Sequence, residues 1–393
     1  MISVTCLLFV GCVEAGCQNR SKDIQKLRMG TLVIKTNPGA KVKVQQLEHE
    51  FMFGTAISSR IFNKQFPDED KEKYLSILKD NFNSGVHENA LKWYSTEVAK
   101  NRISYENADI VLDWCDDNGI RMRGHCVFWC VEQKVQSWIK YLDDDILRNK
   151  LENRAVDVMS RYKGRISEYD VNNEMLHGQY FEDRLGNSIR HEMFKWCHET
   201  DSNAILYVND YGILNGGDLD RYEAQIESLI KAGIPLGGIG LQGHFGARID
   251  TIKVKHVLDR LARYKLPIKI TEFDMNTSDE KLKARNLVAF YNTVFAHPSV
   301  EGILMWGFWE GLHWRPDAAL WNKDWTPTMA ARAYHDLVYD RWWTQYEGMA
   351  DEKGICEVKV FFGFHQIEVN ESVQKQVWVR KMDGTKIITI IPQ

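Results

Sequence analysis

Between Phe51 and Trp343 short apolar runs alternate with longer stretches whose apolar residues recur every three or four positions. These are the marks of buried strands and of amphipathic helices in turn. Helices are predicted over Tyr105–Asp117, Asp143–Lys163, Ser188–Glu199, Leu219–Ala232, Ile252–Tyr264 and Asp279–Phe295. In the first, Ile110, Val111, Trp114 and Cys115 share a face. Gly233 closes Leu219–Ala232 as a C-cap glycine should. Strands fill the intervals: near Phe53 and Val86, over Arg121–Trp129, into Glu174, over Ile205–Asn209 and Gly237–Gln242, into Glu272, and over Gly302–Trp306. About eight βα units over roughly 290 residues predict an α/β fold, a closed (β/α)8 TIM barrel over residues 51–343. An open doubly wound sheet fits less well, because no glycine-rich phosphate loop follows the first strand.

Outside this span the period is two. Thr31–Phe53 alternates around Asn37-Pro38-Gly39 and reads as an N-terminal β-hairpin over residues 28–50. After Trp343, Val358–Phe364, Gln366–Asn370, Val377–Lys381 and Lys386–Ile391 alternate, with Asp383-Gly384 as a hairpin turn. They predict a small accessory β module over 344–393. The N-terminal hairpin is expected to join it, since the two ends are the all-β segments. The tail is either a sugar-binding module or a clamp on the barrel. Residues 1–15 are apolar and end in Val13-Glu14-Ala15, small residues at the positions a signal peptidase reads. The run is too short to span a bilayer comfortably. A signal peptide and a secreted, extracellular protein are expected, although no Lys or Arg precedes the apolar run.

A net charge of −4 leaves no electrostatic footprint for nucleic acid or for an anionic membrane. A monomer is expected. Cys6 and Cys12 would leave with the leader. Cys17, Cys115, Cys126, Cys130, Cys197 and Cys356 are too few for a disulfide scaffold and lack metal-binding spacing, so no metal or cofactor is implied. One or two bridges fit an oxidising compartment. Cys115 and Cys126 are a candidate pair, with buried free thiols the alternative. Glycosylation sequons stand at Asn19, Asn276 and Asn370.

Chemistry gathers where the strands end, which in such a barrel is the active face. Tyr169-Asp170-Val171-Asn172-Asn173-Glu174 runs a strand into a carboxylate, and Pro267-Ile268-Lys269-Ile270-Thr271-Glu272-Phe273-Asp274 does so again. Strand parity puts Ile268, Ile270, Glu272 and Asp274 on one face. Other strands end in Glu88, Asn89 and Lys92, in His125 and Trp129, in Asn209-Asp210-Tyr211, in Gln242 and His244, and in Trp306 with Trp314 beyond. Two carboxylates can share displacement at a sugar carbon, one protonating the leaving oxygen while the other attacks or activates water. Amides, imidazoles and an ammonium bond hydroxyls, and Trp faces stack on pyranose rings; thirteen Trp is a high count that suits this. Each residue alone has a plainer reading, as core packing or an ordinary ion pair. The regularity of the set is what carries the argument for a sugar site.

These residues resemble glycoside hydrolase family 10, the retaining endo-β-1,4-xylanases, and its plant and invertebrate branch in particular. The matching runs are Glu88-Asn89-Ala90-Leu91-Lys92-Trp93, Arg123-Gly124-His125-Cys126-Val127-Phe128-Trp129, Tyr169–Gly178, Val208–Tyr211, Gly238–His244, Thr271–Asp274 and Met305–Trp309. The resemblance implies that Glu174 is the acid/base and Glu272 the nucleophile, with carboxyls about 5 to 5.5 Å apart. It implies that Asn173 bonds the 2-hydroxyl and that His244 and Asp274 hold Glu272. Glu88, Asn89, Lys92, His125 and Trp129 would line the non-reducing side, with Gln242 nearby. Trp306 and Trp314 would wall the cleft, and Tyr211 would receive the leaving sugar. The implied partner is a polysaccharide, xylan or also a β-1,4-glucan. Many family members carry His and Gln where this chain has Cys130 and Glu132, which bears on the outer non-reducing subsite. The alternatives are a broad β-1,4-glycanase that also cleaves cellulose and a non-catalytic carbohydrate-binding barrel.

Overall fold

A computed structural model describes residues 22–392. The expected leader, Cys6, Cys12, Cys17 and Asn19 lie outside the described residues. The strands in chain order are β1 Met29–Lys35, β2 Lys41–His49, β3 Met52–Ile57, β4 Ser84–His87, β5 Arg121–Arg123, β6 Phe128–Trp129, β7 Glu168–Asn173, β8 Ile205–Asp210, β9 Gly238–Leu241, β10 His244–Phe245, β11 Ile268–Met275 and β12 Val300–Met305. Then follow β13 Gln345–Met349, β14 Ile355–Phe361, β15 Gly363–Val369, β16 Val373–Val379 and β17 Thr385–Thr389. The chain divides into two compact units. One comprises Phe53–Asn286 and Ser299–Ala331. The other takes the chain up to Met52, Leu287–Pro298 and the chain from Arg332 on, which departs from the expected barrel span of 51–343.

The first unit is a (β/α)8 barrel. Its strands run in the order β5-β4-β3-β12-β11-β9-β8-β7-β6 and pair in parallel where registers are defined. The predicted strand Arg121–Trp129 is two segments. Its first half, β5, pairs with β4; Gly124 bridges to Tyr169, and β6 pairs with β7, so one strand closes the barrel between two neighbours. Gly124 fits because a Cβ there would meet the Tyr169 ring at 2.2 Å. Helices over Glu106–Asp117, Asp144–Arg161, Ser188–Thr200, Leu219–Lys231, Thr251–Leu261 and Glu280–Phe295 lie within a few residues of the predicted spans. Asp250 begins one of them by accepting the Ile252 and Lys253 N–H groups. Gly233, at a φ of 69°, ends another.

The barrel interior is charged at its centre. Arg123 bonds Glu168 at 3.0 Å and both oxygens of Asp170, and Lys269 bonds the other oxygen of Glu168. All four are fully buried. Buried charges persist only when paired and hydrogen-bonded. Here two cations face two carboxylates.

The second unit holds a β-sandwich, and its strand partners differ from those expected. β1 and β2 are strands but do not pair with each other. β1 lies between β14 and β17 in a three-stranded sheet, and β2 between β13 and β15 in a four-stranded sheet that ends in β16. The turn at Asn37–Gly39 thus crosses from one sheet to the other. Leu32 and Ile34 of β1 meet Val42 and Val44 of β2 across the sandwich core. Alternation fixes which face is buried but not which strand is the neighbour, so a hairpin and a crossover read alike. The same correction applies to Asp383-Gly384: β16 and β17, on either side, belong to different sheets, and β17 pairs in parallel with β1. The true tail hairpin joins β15 to β16 through Asn370 and Glu371, both with positive φ as a type I′ turn requires.

Cys115, Cys126, Cys130, Cys197 and Cys356 are all free and buried. The candidate Cys115–Cys126 bridge is not formed. Asn276 and Asn370 are exposed.

Candidate active site

The strand ends of the barrel enclose a cleft of about 530 Å³. Glu88, Asn89, Lys92, His125, Trp129, Asn173, Glu174, Tyr211, Gln242, His244, Glu272, Trp306 and Trp314 all line it. Asp274 does not; it stands behind His244.

Glu174 is the first residue past β7. Its φ is +60°, a left-handed conformation that costs a non-glycine residue on the order of 1 kcal/mol and clusters at functional sites. Its N–H donates to the Asn209 carbonyl at 2.9 Å, and its own carbonyl accepts from His177 and Gly178 at 3.0 Å, which hold the turn. The carboxylate is gripped at both oxygens. Trp129 donates its indole N–H to one at 2.9 Å, and Gln242 its amide N–H to the other at 3.0 Å. Burial pushes the Glu174 carboxyl above the usual range, with the nearby Glu272 charge adding to it against the two hydrogen bonds.

Glu272 is buried within β11. Asn209 donates to one oxygen at 2.8 Å, and the same amide group donates to Asn173 Oδ1 at 2.9 Å. Thr271 in turn donates its hydroxyl to Asn209 Oδ1 at 2.6 Å and fixes the amide's orientation. The other Glu272 oxygen is 3.2 Å from His244 Nε2. Burial opposes ionisation of Glu272, but the His244 hydrogen bond and the neighbouring cationic groups outweigh it and hold the carboxyl below its usual range. His244 Nδ1 lies 3.0 Å from Asp274 Oδ2 but is poorly aligned with it, an ion-pair contact rather than a hydrogen bond. Asp274 also accepts the Trp314 indole N–H at 2.8 Å and Arg315 at 3.1 Å.

The two carboxyls of one cleft are therefore shifted in opposite directions. That is the pattern of a proton donor beside a carboxylate kept charged.

The walls suit a ring-shaped, hydroxyl-rich ligand. The Lys92 ammonium lies 4.6 Å from the Trp129 ring centroid and 5.4 Å from that of Trp306. It bonds Asn89 Oδ1 at 3.2 Å, which also accepts from the Tyr94 hydroxyl. His125 is locked from behind by Asp170, 2.9 Å away. Tyr211 lies flat on His177, their ring centroids 3.7 Å apart.

Cys130 and Glu132 do not reach the cleft. The buried Cys130 thiol donates to the Gly178 carbonyl at 2.7 Å, and the exposed Glu132 pairs with Lys140 at 3.1 Å. Lys134, next along, does line the cleft and sits 4.9 Å over Trp129. Sequence reasoning passes over Tyr94, Lys134, Asn215 and Arg315, because single helical turns and loops are too short to carry a period that places them. Tyr94 and Arg315 adjoin motif residues, which is the one signal available. Asn209 reads only as a polar strand end; its bridging role is visible in three dimensions alone.

The model of glycosyl hydrolase family 10 matches residues 43–337. The chain is 38% identical over 360 residues to endo-1,4-beta-xylanase 1 of Arabidopsis thaliana, covering 90% of this chain and 37% of that protein. It is 39% identical over 355 residues to anti-sigma-I factor RsgI6 of Acetivibrio thermocellus, covering 89% of this chain and 46% of that one. The chain thus spans less than half the length of these curated relatives. Among solved structures, xylanase 10B from Thermotoga petrophila in complex with xylobiose superposes with a TM-score of 0.69 at 25% identity, over 74% of this chain and 95% of that one.

Proposed function

This chain belongs to glycosyl hydrolase family 10, and on that premise we propose that it is a retaining endo-β-1,4-xylanase acting outside the cell. One observation carries the reading: Glu174 and Glu272 face a single cleft with their carboxyls shifted in opposite directions. In the proposed first step Glu272 attacks the anomeric carbon and Glu174 gives its proton to the leaving oxygen. Glu272 becomes an ester and loses its charge. That relieves one of the influences holding the Glu174 proton, so Glu174 can then take a proton from water as the ester is hydrolysed. Asn173, bonded to Asn209, would bond the 2-hydroxyl, and Tyr211, stacked on His177, would receive the departing sugar. The expected leader over residues 1–15 bears on the extracellular location.

Reducing-end release from soluble xylan and from carboxymethylcellulose, run side by side with Glu272→Ala, tests this. Release from xylan alone, lost in the variant, is the expected result. Comparable release from both would move the assignment to a broad β-1,4-glycanase, and none from either would overturn the enzymatic reading.

A further inference from the structure

A row of glutamines crosses the four-stranded sheet of the sandwich. Gln345 of β13 pairs with Gln45 of β2, Gln45 with Gln366 of β15, and Gln366 with Gln376 of β16. Direct cross-strand partners share a face. That face is the outer one, because Val44 and Ile367, the sequence neighbours of Gln45 and Gln366, are buried in the sandwich core. Three of the glutamines are exposed and Gln366 is half-buried.

An aromatic strip borders the row. Phe364 and Trp378 are register partners two residues along, with ring centroids 5.4 Å apart and planes 30° from parallel. Both are half-buried, and the Arg380 guanidinium lies 4.6 Å over Trp378. Leu47, the residue skipped in the β2 register beside Phe364, is exposed. On the other border Lys43 lies 3.1 Å from Glu347 and is opposite Glu368, one cation between two carboxylates.

The plainer reading is a ladder of amides bonded from strand to strand. Yet among the described residues the row makes a single internal side-chain hydrogen bond, Gln376 Nε2 to Gln366 Oε1 at 3.4 Å. The remaining amide groups face outward. Each primary amide offers two donors and an acceptor, as a sugar hydroxyl array requires. Three strand spacings of about 4.8 Å make the row on the order of 14 Å long, room for a short run of linked pyranoses. The beside-lying rings supply flat apolar faces for their C–H surfaces. The glutamine row itself carries no charge, so a neutral chain lying along it displaces water from amides rather than from ions.

We propose that the outer face of this sheet is a second polysaccharide-binding site, taking a neutral β-1,4-linked chain, xylan, along the glutamine row. The choice of xylan rests on the substrate proposed for the cleft; the existence of the site does not.

The test uses the full chain and two variants, Trp378→Ala and the doubly exposed Gln45→Ala/Gln376→Ala. Depletion onto insoluble xylan is measured beside kcat/KM on a soluble aryl β-xylobioside. Each variant is expected to lose about tenfold in affinity for the polymer, with kcat/KM on the short substrate unchanged. The glutamine pair keeps the test decisive if Trp378→Ala folds poorly. Hydrolysis of xylan by variants that still bind the polymer as the parent does would overturn the second site and leave the cleft's function standing. Polymer binding that depends on these residues, in a chain that hydrolyses nothing, would support the site and overturn the cleft's assigned function. Loss of self-association in the variants, with xylan binding intact, would assign the face to a second copy of this chain and overturn the proposal.

Discussion

Glu272 Oε2 lies 3.2 Å from His244 Nε2, and the pair is charged in a way burial alone would forbid. Burial works to strip the proton from His244, but Asp274 and Glu272 more than offset it and push the imidazole up to about 9. Below that pH an imidazolium donates to Glu272 and keeps it ionised. His244→Ala removes the donor. Glu272 is then easier to protonate, so the acid limb of the kcat profile should move to higher pH. Loss of a preorganised charged donor of this kind costs about 10² to 10³ in kcat. An acid limb that stays in place, measured on an aryl β-xylobioside, would reduce His244 to a packing role.

The alkaline limb should answer to Gln242. Glu174 is active as the acid, so activity is lost as pH rises through its raised pKa. The Gln242 hydrogen bond favours the ionised form and works against that rise. Gln242→Met removes it and should carry the alkaline limb further up in pH while the acid limb, set by the depressed Glu272, stays where it is. A downward movement would mean that Glu174 is not the group titrating there.

Removing the nucleophile gives the sharpest chemical test. Glu272→Ala should lower kcat on the order of 10⁶, as loss of an enzymic nucleophile does elsewhere. Azide, small enough for the space left, should restore turnover and yield the inverted glycosyl azide, identified by the anomeric proton coupling. A retained azide product would place the nucleophile elsewhere.

The strength of the sequence signal varied with its physical origin. Helices and barrel strands were legible because each buries one face, and burial writes a period into the residues. Cleft residues such as Glu174, Gln242 and Trp306 were legible because strand ends collect polar and aromatic groups that no core would hold. Partnership was not legible. β1 and β2 look like a hairpin, and only the two-sheet core formed by Leu32, Ile34, Val42 and Val44 shows that they part company. Lys269 reads as one more residue of its strand and Glu168 falls just ahead of the Tyr169 run, with no hint that they meet inside the barrel.

That meeting has a measurable cost if broken. Lys269→Met leaves Glu168 buried with Arg123 as its remaining partner, and Arg123 also serves Asp170. Breaking a buried pair from one side costs about 3 to 5 kcal/mol, whereas replacing both partners is often nearly neutral. Lys269→Met should therefore lower Tm sharply, and adding Glu168→Gln should recover much of the loss. The Glu168 carboxyl is held below its usual range by Lys269 and Arg123 despite its burial. Its contribution is thus present above the ordinary carboxylate pKa and lost as pH falls through the folded value, so the Lys269→Met deficit should shrink in acid. Calorimetry across pH would show a constant deficit if the pair were neutral.

Truncation after Trp343 tests what the tail does for the strands that precede the barrel. The cut removes β13, β14, β15 and β17, which are the partners of β1 and β2. Leu32, Ile34, Val42 and Val44 would then lose the apolar face they pack against, and two strands would present unpaired edges, a template for association with other chains. The truncated chain should be insoluble or recovered as aggregates by size-exclusion chromatography. Removing only the last edge strand of each sheet is milder: a cut after Asn370 spares β13, β14 and β15 and removes β16 and β17, so β2 keeps both neighbours and β1 keeps one. A graded outcome, partial solubility for the second cut and none for the first, is expected if strand pairing is the cause. Equal, full solubility of both would mean that β1 and β2 need no partner from the tail.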